Sequence, residues 1–181
     1  MPSNSIQLVR KRSDEITLRS PRSEDGAAVW RLIRSCDPLD ENSLYCNLLQ
    51  CDHFSDTCVA AERTADGAIV GWVSGYLMPD EPETLFIWQV AVDGSTQGQG
   101  VAKRMLGALL KREACTGIRR LKTTITPDNA ASWALFKSFA RSQGAELRST
   151  PYFRENEHFE GEHPTEHMVT IVLPQEARSA A

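Results

Sequence analysis

The stretch VAVDGSTQGQGVAKRMLGALL, residues 90–110, passes from a strand-like run through a glycine-containing turn into a basic amphipathic segment. Its β-branched start favours a strand, and its second half carries apolar side chains at helical spacing. The apolar stripe of the predicted helix comprises Val101, Met105, Leu106, Leu109 and Leu110. A strand, a glycine turn and a helix in this order predict an α/β protein.

The turn between this strand and this helix has the chemistry of an anion site. Gly98 and Gly100 allow the backbone to approach a ligand closely, and the first N–H groups of a helix have no partner within it. Such groups suit phosphate, and Lys103 and Arg104 add positive charge. On the glycines alone, an ordinary turn is the simpler interpretation. The glycine spacing excludes a Walker A loop, and the lysine at position 103 excludes a Rossmann fingerprint.

Composition indicates one globular domain. The chain has 181 residues, of which 41% are hydrophobic and 24% charged, with a formal net charge of −4. That charge argues against nucleic acid as a partner, and no run resembles a membrane span or a signal peptide. We expect a cytoplasmic protein with one domain over residues 16–173 and flexible segments at 1–15 and 174–181. The five cysteines form no C-x-x-C pair and predict buried thiols without a disulfide framework.

Hydrophobic patterning predicts the remaining elements. The run Thr84–Val92 is nearly continuously apolar, which is typical of a strand covered on both faces. Ser23 is expected to cap a first helix, and Asp40 a second one that ends at Leu49. A further helix is expected to start at Asp128 or Asn129 and to end just before Gly144, and Trp133 is assigned to the core. Other strands are expected at 16–20, at 57–63 and 68–78 around an Asp66-Gly67 turn, at 120–126 and at 166–173.

Two motifs resemble a known family. QGQGVA, residues 97–102, follows the strand WQVAV and is similar to the coenzyme A pyrophosphate loop of the GNAT N-acetyltransferases. TPDNAASWALF, residues 126–136, resembles the second cofactor helix of that family, in which an asparagine near the start helps to hold the cofactor. The resemblance implies the GNAT fold, a mixed, mostly antiparallel central sheet flanked by helices. The residues that it assigns to acetyl-CoA are Val90, Ala91, Val92, Gln97, Gly98, Gln99, Gly100, Val101, Ala102, Lys103, Asn129, Ser132 and Phe136.

Four longer blocks, residues 36–57, 75–92, 121–136 and 158–171, resemble one branch of this family. That branch acetylates the γ-amine of L-2,4-diaminobutyrate in ectoine biosynthesis. The resemblance implies a homodimer without a metal, and it implies that backbone N–H groups of Val90–Val92 stabilise the reaction's oxyanion. Gln97 departs from the branch, in which arginine is commoner at this position.

Candidate substrate residues come from three parts of the chain. Carboxylates of Asp37 and Asp40 could pair with the amines of the substrate, although turn and cap chemistry explains both aspartates equally well. His158 and Glu162 could bind an amine or relay a proton, with water as the alternative relay. The full set of expected substrate residues is Asp37, Asp40, Asn42, Tyr45, Trp88, His158 and Glu162.

Some functional assignments stay open. Phe136 stands where many GNAT enzymes have a tyrosine that protonates the leaving thiolate, so the general acid is unassigned. His158, His163 and His167 lie among glutamates, but Pro164 and the lack of a nearby cysteine make a metal site a weak interpretation. Acetylation of another small amine or of a protein amino terminus is one alternative function. A non-catalytic acyl-CoA-binding module is the other.

Overall fold

The computed structural model describes residues 15–36 and 39–174. Within this part of the chain, seven strands form one sheet in the order β1-β2-β3-β4-β5-β7-β6. The strands are β1 Ile16–Arg19, β2 Val59–Arg63, β3 Ile69–Met78, β4 Glu81–Val92, β5 Arg120–Ile125, β6 Glu146–Phe153 and β7 Glu166–Val172. The α-helices are α1 Gly26–Arg34, α2 Leu44–His53, α3 Val101–Leu110, α4 Ala130–Ser142 and α5 Glu155–His158.

The sheet is mixed and mostly antiparallel, as the sequence predicts. Strands β1 with β2, β2 with β3, β5 with β7, and β6 with β7 pair antiparallel. Strand β4 pairs with β5 in parallel over Thr84–Phe86 and Arg120–Lys122. The parallel register ends there, although β4 continues to Val92 and β5 to Ile125. The predicted α/β class and mixed sheet are confirmed.

The chain divides into two compact units. The first comprises Met1–Ser74 with Gln89–Ala114, and the second comprises Gly75–Trp88 with Cys115–Ala181. In the first unit, α1 and α2 pack closely, because Gly26 leaves room for Leu48 of α2. The core cluster of this unit consists of Val29, Leu32, Ile33, Cys51, Cys58, Trp72 and Ala91.

The second unit is built from the β5, β7 and β6 strands and helix α4, which packs against β6. Its sheet is tied to the start of β4 by Glu81, whose carboxylate accepts a hydrogen bond from Lys122 Nζ over 2.6 Å. This contact and a hydrogen bond from Thr84 hold the pKa of Glu81 below its usual value. Buried side chains of the unit include Leu121, Ile125, Phe136, Phe139, Val169 and Ile171.

The starts of the first two helices differ from the prediction. Ser23 does not cap α1; Ser23–Asp25 form a 3-10 turn, and the Asp25 carboxylate binds the Arg19 guanidinium over 2.7 and 2.8 Å. Asp40 does not cap α2 either. Helix α2 begins after Ser43, whose hydroxyl accepts a hydrogen bond from the Cys46 amide over 3.1 Å, and it extends to His53. Serine and aspartate cap equally well, so propensity could not choose between them.

Strand β6 and the short helix α5 are absent from the prediction. Most side chains of β6 are exposed, so the strand has no hydrophobic alternation that a sequence pattern could reveal. It also contains Pro151, which an edge strand tolerates because one side of its backbone needs no sheet partner. Position at the edge of the sheet, after β7, therefore explains both features.

Trp133 is half-buried, and the prediction that it belongs to the core is wrong. Its indole Nε1 donates to the carbonyl of Thr126 over 3.0 Å, and the Lys137 ammonium lies 5.3 Å from its ring centroid. Trp133 thus fastens the start of α4 to the end of β5. The predicted terminal segments 1–15 and 174–181 lie outside the described residues except for Glu15 and Pro174. Among the helices that are described, none has the length and apolar character to cross a bilayer.

Candidate active site

The turn before α3 is shaped by two glycines in the left-handed region. Gly98 has φ 77° and Gly100 has φ 71°, a backbone conformation that is strained for residues other than glycine. A Cβ atom built on either glycine would meet no atom within 4 Å, so the space above both is open. Gly100 also occupies the N-cap position of α3 without a side-chain cap. The turn therefore presents bare backbone to its surroundings.

The backbone N–H groups between Gln97 and Ala102 are weakly bonded or have no acceptor among the described residues. The amides of Gln97 and Gln99 are bonded weakly, each over 3.4 Å, to carbonyls within the turn. The amides of Val101 and Ala102 have no acceptor among the residues that the structure describes. Unpaired N–H groups at the positive end of a helix dipole form a site for an anionic oxygen. The six predicted residues Gln97–Ala102 lie together in this turn.

The two basic residues of the first turn of α3 differ in their surroundings. The Arg104 guanidinium donates to the carbonyl of Ile16 over 3.0 Å, so this side chain fastens α3 to β1. Lys103 is exposed on the helix surface. On the preceding side, Asp93 accepts hydrogen bonds from the amide and hydroxyl of Ser95, which lower the pKa of the Asp93 carboxyl. Asp93 thus shapes the turn.

Strand β4 is covered on both faces at Thr84 and Leu85, but on one face only over residues 87–91, so the expectation of two covered faces holds for the first part of the strand and is wrong for the second. Ile87, Gln89 and Ala91 are buried, whereas Trp88 is 47% exposed and Val90 is half-buried. Because side chains alternate along a strand, Trp88 and Val90 belong to the open face. Ala91 is 1% exposed and can offer a ligand only its backbone. The backbone N–H groups of Val90–Val92 are therefore the groups that could stabilise an oxyanion, and this role stays a prediction.

In the first unit, the expected substrate residues of the α1–α2 connection share one segment. Asp40 is exposed, Asn42 is half-buried and Tyr45 is 69% exposed. The Asp40 carboxylate has no partner among the described residues, whereas the carboxylate of Glu41 pairs with Arg34 over 3.1 Å. Asp37, also predicted here, lies outside the described residues. The segment therefore offers one uncommitted carboxylate.

Gln89 holds this segment and was missed by the sequence analysis. Its Nε2 donates to the Asp40 carbonyl, and its Oε1 accepts from Asn42 Nδ2, both over 2.7 Å. A single polar residue inside the apolar run of β4 was the available signal. The partners are 47 and 49 residues away in sequence, so no local pattern identifies them.

In the second unit, Trp88 packs beside Tyr76. The Tyr76 ring lies edge-on to Trp88 with centroids 6.5 Å apart, and it lies 5.2 Å from the Phe86 ring. Burial raises the pKa of the Tyr76 hydroxyl, and the neighbouring Tyr152 adds to the shift. An aromatic wall of this kind suits an alkyl chain or an ammonium group. Trp88 was predicted from the sequence, whereas Tyr76 was not.

The start of α4 carries the predicted cofactor residues of the second unit. Asn129 is the N-cap, and its Oδ1 accepts from the Ser132 amide over 3.0 Å. That bond uses the side-chain oxygen and leaves the amide nitrogen as the group that could reach a ligand. Ser132 is half-buried, and Phe136 is 2% exposed and purely apolar. The roles of all three remain predictions.

His158 accepts a hydrogen bond from a backbone amide four residues earlier in the chain. The amide of Arg154 donates to His158 Nδ1 over 3.0 Å, and the imidazole lies 5.6 Å from the Phe153 ring. A neutral imidazole that accepts at Nδ1 carries its proton on Nε2. In this arrangement His158 offers a donor, and a role as base would require it to release the Arg154 amide. His158 and Glu162 are both exposed.

The histidine-rich segment shows contacts within the protein. His163 Nδ1 lies 2.8 Å from the carbonyl oxygen of Pro164, and His163 Nε2 lies 4.0 Å from a carboxylate oxygen of Glu166. Within the described ranges, no group of three or more histidine, cysteine, aspartate or glutamate side chains is arranged to hold a metal ion.

Comparison with known proteins identifies relatives over most of the chain. The family model of the acetyltransferase (GNAT) family matches residues 27–140. L-2,4-diaminobutyric acid acetyltransferase of Methylotuvimicrobium alcaliphilum is 51% identical over 86% of this chain and 90% of its own length. The enzyme of that name from Vibrio cholerae is 46% identical over 92% of this chain and 95% of its own.

A solved structure has the same fold. Diaminobutyrate acetyltransferase from Paenibacillus lautus, in complex with its substrate L-2,4-diaminobutyric acid and coenzyme A, superposes with a TM-score of 0.82 and 42% identity. The match covers 88% of this chain and 96% of that one. The Ard1 structure from Thermoplasma volcanium, 18% identical with a TM-score of 0.67, shares the fold alone.

Proposed function

We propose that this chain, which belongs to the GNAT acetyltransferase family, transfers the acetyl group of acetyl-CoA to the γ-amine of L-2,4-diaminobutyrate. The product is Nγ-acetyl-L-2,4-diaminobutyrate, an intermediate of ectoine biosynthesis. The observation that carries this assignment is the superposition on a diaminobutyrate acetyltransferase that holds this substrate and coenzyme A. Identity of 40–51% to enzymes of the same name supports it.

The glycine turn fits a coenzyme A pyrophosphate. The open space above Gly98 and Gly100 allows phosphate oxygens to approach the backbone, and the Val101 and Ala102 amides supply donors. These donors are fixed by the fold, so binding costs little rearrangement. When bound, acetyl-CoA supplies a thioester carbonyl as the electrophile.

The amine substrate carries two ammonium groups and one carboxylate. In the first unit, the uncommitted Asp40 carboxylate can pair with an ammonium group. In the second unit, the Trp88 and Tyr76 rings form a surface that suits an alkyl chain or an ammonium group. Tyr45 and Glu162, both exposed, supply further polar contacts in this proposal. A carboxylate at this position suits a diamine, because it attracts the second ammonium group of the substrate, whereas an uncharged side chain such as an amide would not.

The reaction requires the γ-ammonium group to lose a proton before it attacks. An alkyl ammonium has a pKa of about 10, so a base must take the proton at neutral pH. Because His158 Nδ1 already accepts from Arg154, we favour Glu162 or ordered water for this step. The neutral nitrogen then bonds to the thioester carbon, and N–H groups of Val90–Val92 stabilise the oxyanion.

Collapse of the tetrahedral intermediate breaks the carbon–sulfur bond and releases the coenzyme A thiolate. Phe136 cannot protonate this leaving group. A thiolate with a pKa of about 8.5 leaves without a dedicated acid. The nitrogen loses its second proton as the amide forms, and water can carry that proton to the thiolate. The proposed reaction therefore needs no tyrosine at position 136.

A thiol-release assay with a panel of amines tests the proposed function. We expect kcat/KM to be highest for diaminobutyrate and lower for ornithine, because one added methylene displaces the attacking nitrogen. Spermidine and a peptide amino terminus serve as the competing classes. Equal kcat/KM for all four amines would contradict the assignment, and thiol release with none would favour an acyl-CoA-binding module.

The proton path has a separate test. If Glu162 or water removes the proton, the His158→Ala enzyme should keep the pH dependence of kcat, although KM for the amine can change. A rate that falls sharply and recovers as pH approaches the pKa of the amine would instead identify His158 as the base.

We also propose that residues 16–173 act as a single catalytic domain, as a homodimer, in the cytoplasm where acetyl-CoA is available. The match of the family model to residues 27–140, which includes parts of both units, supports one domain. Light scattering of the purified protein at several concentrations tests the dimer. A mass near 20.1 kDa, that of one chain, would contradict it.

A further inference from the structure

Gln89 is a buried amide within an apolar strand. It is 7% exposed and lies on the same face of β4 as Ile87 and Ala91, both of which are buried. Leaving a buried amide unpaired is costly, so its hydrogen bonds determine its arrangement. Both are short, at 2.7 Å, and both go to the connection between α1 and α2.

The segment 39–43 has no helix or strand of its own. Gln89 holds its main chain at Asp40 and its side chain at Asn42. Arg34 pairs with Glu41, and the Ser43 hydroxyl caps α2. Four consecutive residues, 40–43, therefore make contacts that restrain them, whereas the Asp40 carboxylate has no partner in the described chain.

We infer that Gln89 is a positioning residue for the amine substrate. By holding the main-chain carbonyl of Asp40, Gln89 restrains the side-chain carboxylate of the same residue and so prepares that carboxylate to bind an alkyl-ammonium ion. This inference rests on the proposed function. Restraint before binding lowers the entropy that is lost on binding, and irregular chain has much to lose.

The place of Gln89 in the chain adds a second consequence. Its immediate neighbours are Trp88 and Val90, which lie on the open face of β4. One strand thus carries on its open face the residues assigned to the reacting groups, and on its buried face the amide that holds the amine-binding segment. In the proposed reaction, a shift of the amine-binding segment relative to Val90 would therefore displace the attacking nitrogen, and misplacement by about 1 Å is costly to turnover.

A purely structural role is the competing explanation, since any buried amide needs partners. The two explanations differ in what a substitution changes. A structural amide affects the free energy of unfolding, whereas a positioning amide also affects KM for the amine and leaves KM for acetyl-CoA unchanged.

The first variant is Gln89→Met, which keeps the volume and removes both hydrogen bonds. We expect KM for diaminobutyrate to rise about tenfold, the effect of losing roughly one net hydrogen bond, with a smaller change in kcat. Hydrogen exchange at the amides of residues 39–43 should become faster. KM and exchange that both match the unsubstituted enzyme would overturn the inference, as would faster exchange with unchanged KM.

The matched control is Gln50→Met on α2. Gln50 is 2% exposed, and its Oε1 accepts from Asn47 within the same helix over 3.0 Å. The Gln50→Met variant therefore removes a similar buried amide without removing any hydrogen bond to segment 39–43. We expect a lower free energy of unfolding and an unchanged KM for diaminobutyrate. A rise in KM equal to that of Gln89→Met would overturn the inference.

A second variant, Gln89→Glu, decides the question if Gln89→Met does not fold. A protonated glutamic acid can donate to the Asp40 carbonyl and accept from Asn42, whereas the ionised form cannot donate. Burial raises the pKa of a carboxyl, to about 8–9 in documented cases. The ratio of the variant's KM to that of the unsubstituted enzyme should therefore fall as pH is lowered. A ratio that does not change with pH overturns the inference.

Failure of the proposed function would be visible separately. If the unsubstituted enzyme releases no thiol with diaminobutyrate, the substrate assignment fails, and the KM arm of the inference fails with it. Hydrogen exchange at residues 39–43 still reports whether Gln89 restrains the segment, since that measurement needs no substrate.

Discussion

Replacing Gly100 by alanine should introduce backbone strain that lowers the free energy of unfolding, the affinity for coenzyme A, or both. Gly100 has φ 71°, and a Cβ atom there meets nothing within 4 Å, so the substitution creates no clash inside the protein. The left-handed conformation costs a non-glycine residue about 1–2 kcal/mol. If the turn keeps its shape, this cost lowers the free energy of unfolding. If the turn relaxes, the same cost is met on binding and lowers affinity by about 5- to 30-fold.

Two other glycines in the first unit provide matched controls. Gly67, in the β2–β3 turn, has the same φ of 71° and equally open space. Gly67→Ala should therefore cost similar stability without changing coenzyme A affinity. Gly94 also has open space but no positive φ, and Gly94→Ala should change neither quantity appreciably.

Calorimetric titration with coenzyme A and chemical denaturation of the three variants measure both quantities. For Gly100→Ala, the loss of unfolding free energy and the loss of binding free energy should together amount to at least the strain. Refutation would come from Gly67→Ala weakening coenzyme A as much as Gly100→Ala does, or from Gly100→Ala leaving both quantities unchanged.

Three further predictions concern stability and reactivity. Gly26→Ala should lower the free energy of unfolding by about 1–3 kcal/mol in urea denaturation, because its Cβ would lie 2.6 Å from Leu48 Cδ2 and 3.1 Å from Leu48 Cα; an unchanged midpoint would contradict this. The hydrogen bond from Arg19 lowers the pKa of Asp25 in the folded state. This pair should therefore stabilise the protein fully above the unfolded aspartate pKa of about 3.9 and lose its effect as pH falls through the lower folded pKa. In thermal melts at several pH values, Asp25→Asn should lose less stability at acid pH than the unsubstituted protein, and an identical loss would refute the prediction. Burial raises the pKa of the Cys51 thiol to about 12, so iodoacetamide at neutral pH should label it only after unfolding, and rapid labelling of the native protein would contradict the prediction.

Much of the fold follows from local sequence, because periodicity and glycine positions act on neighbouring residues. The strands β2, β3, β5 and β7 were predicted within a few residues, since each has a compact apolar run between turn signals. The exposed edge strand β6 was not, because a strand that buries little carries no pattern. The start of helix α2 was predicted three residues too early, because Ser43 and Asp40 are comparable caps and the sequence does not choose between them.

The candidate site divides in the same way. The sequence by itself determined the glycine turn, since only glycine adopts positive φ without strain and both positions precede a helix. Tertiary structure decided what Gln89 does. In sequence it is one polar residue in an apolar strand; its partners, Asp40 and Asn42, are 49 and 47 residues away. Hydrogen bonds of that range exist only after distant backbone segments have met, so only the folded chain shows that Gln89 holds the segment that carries the Asp40 carboxylate.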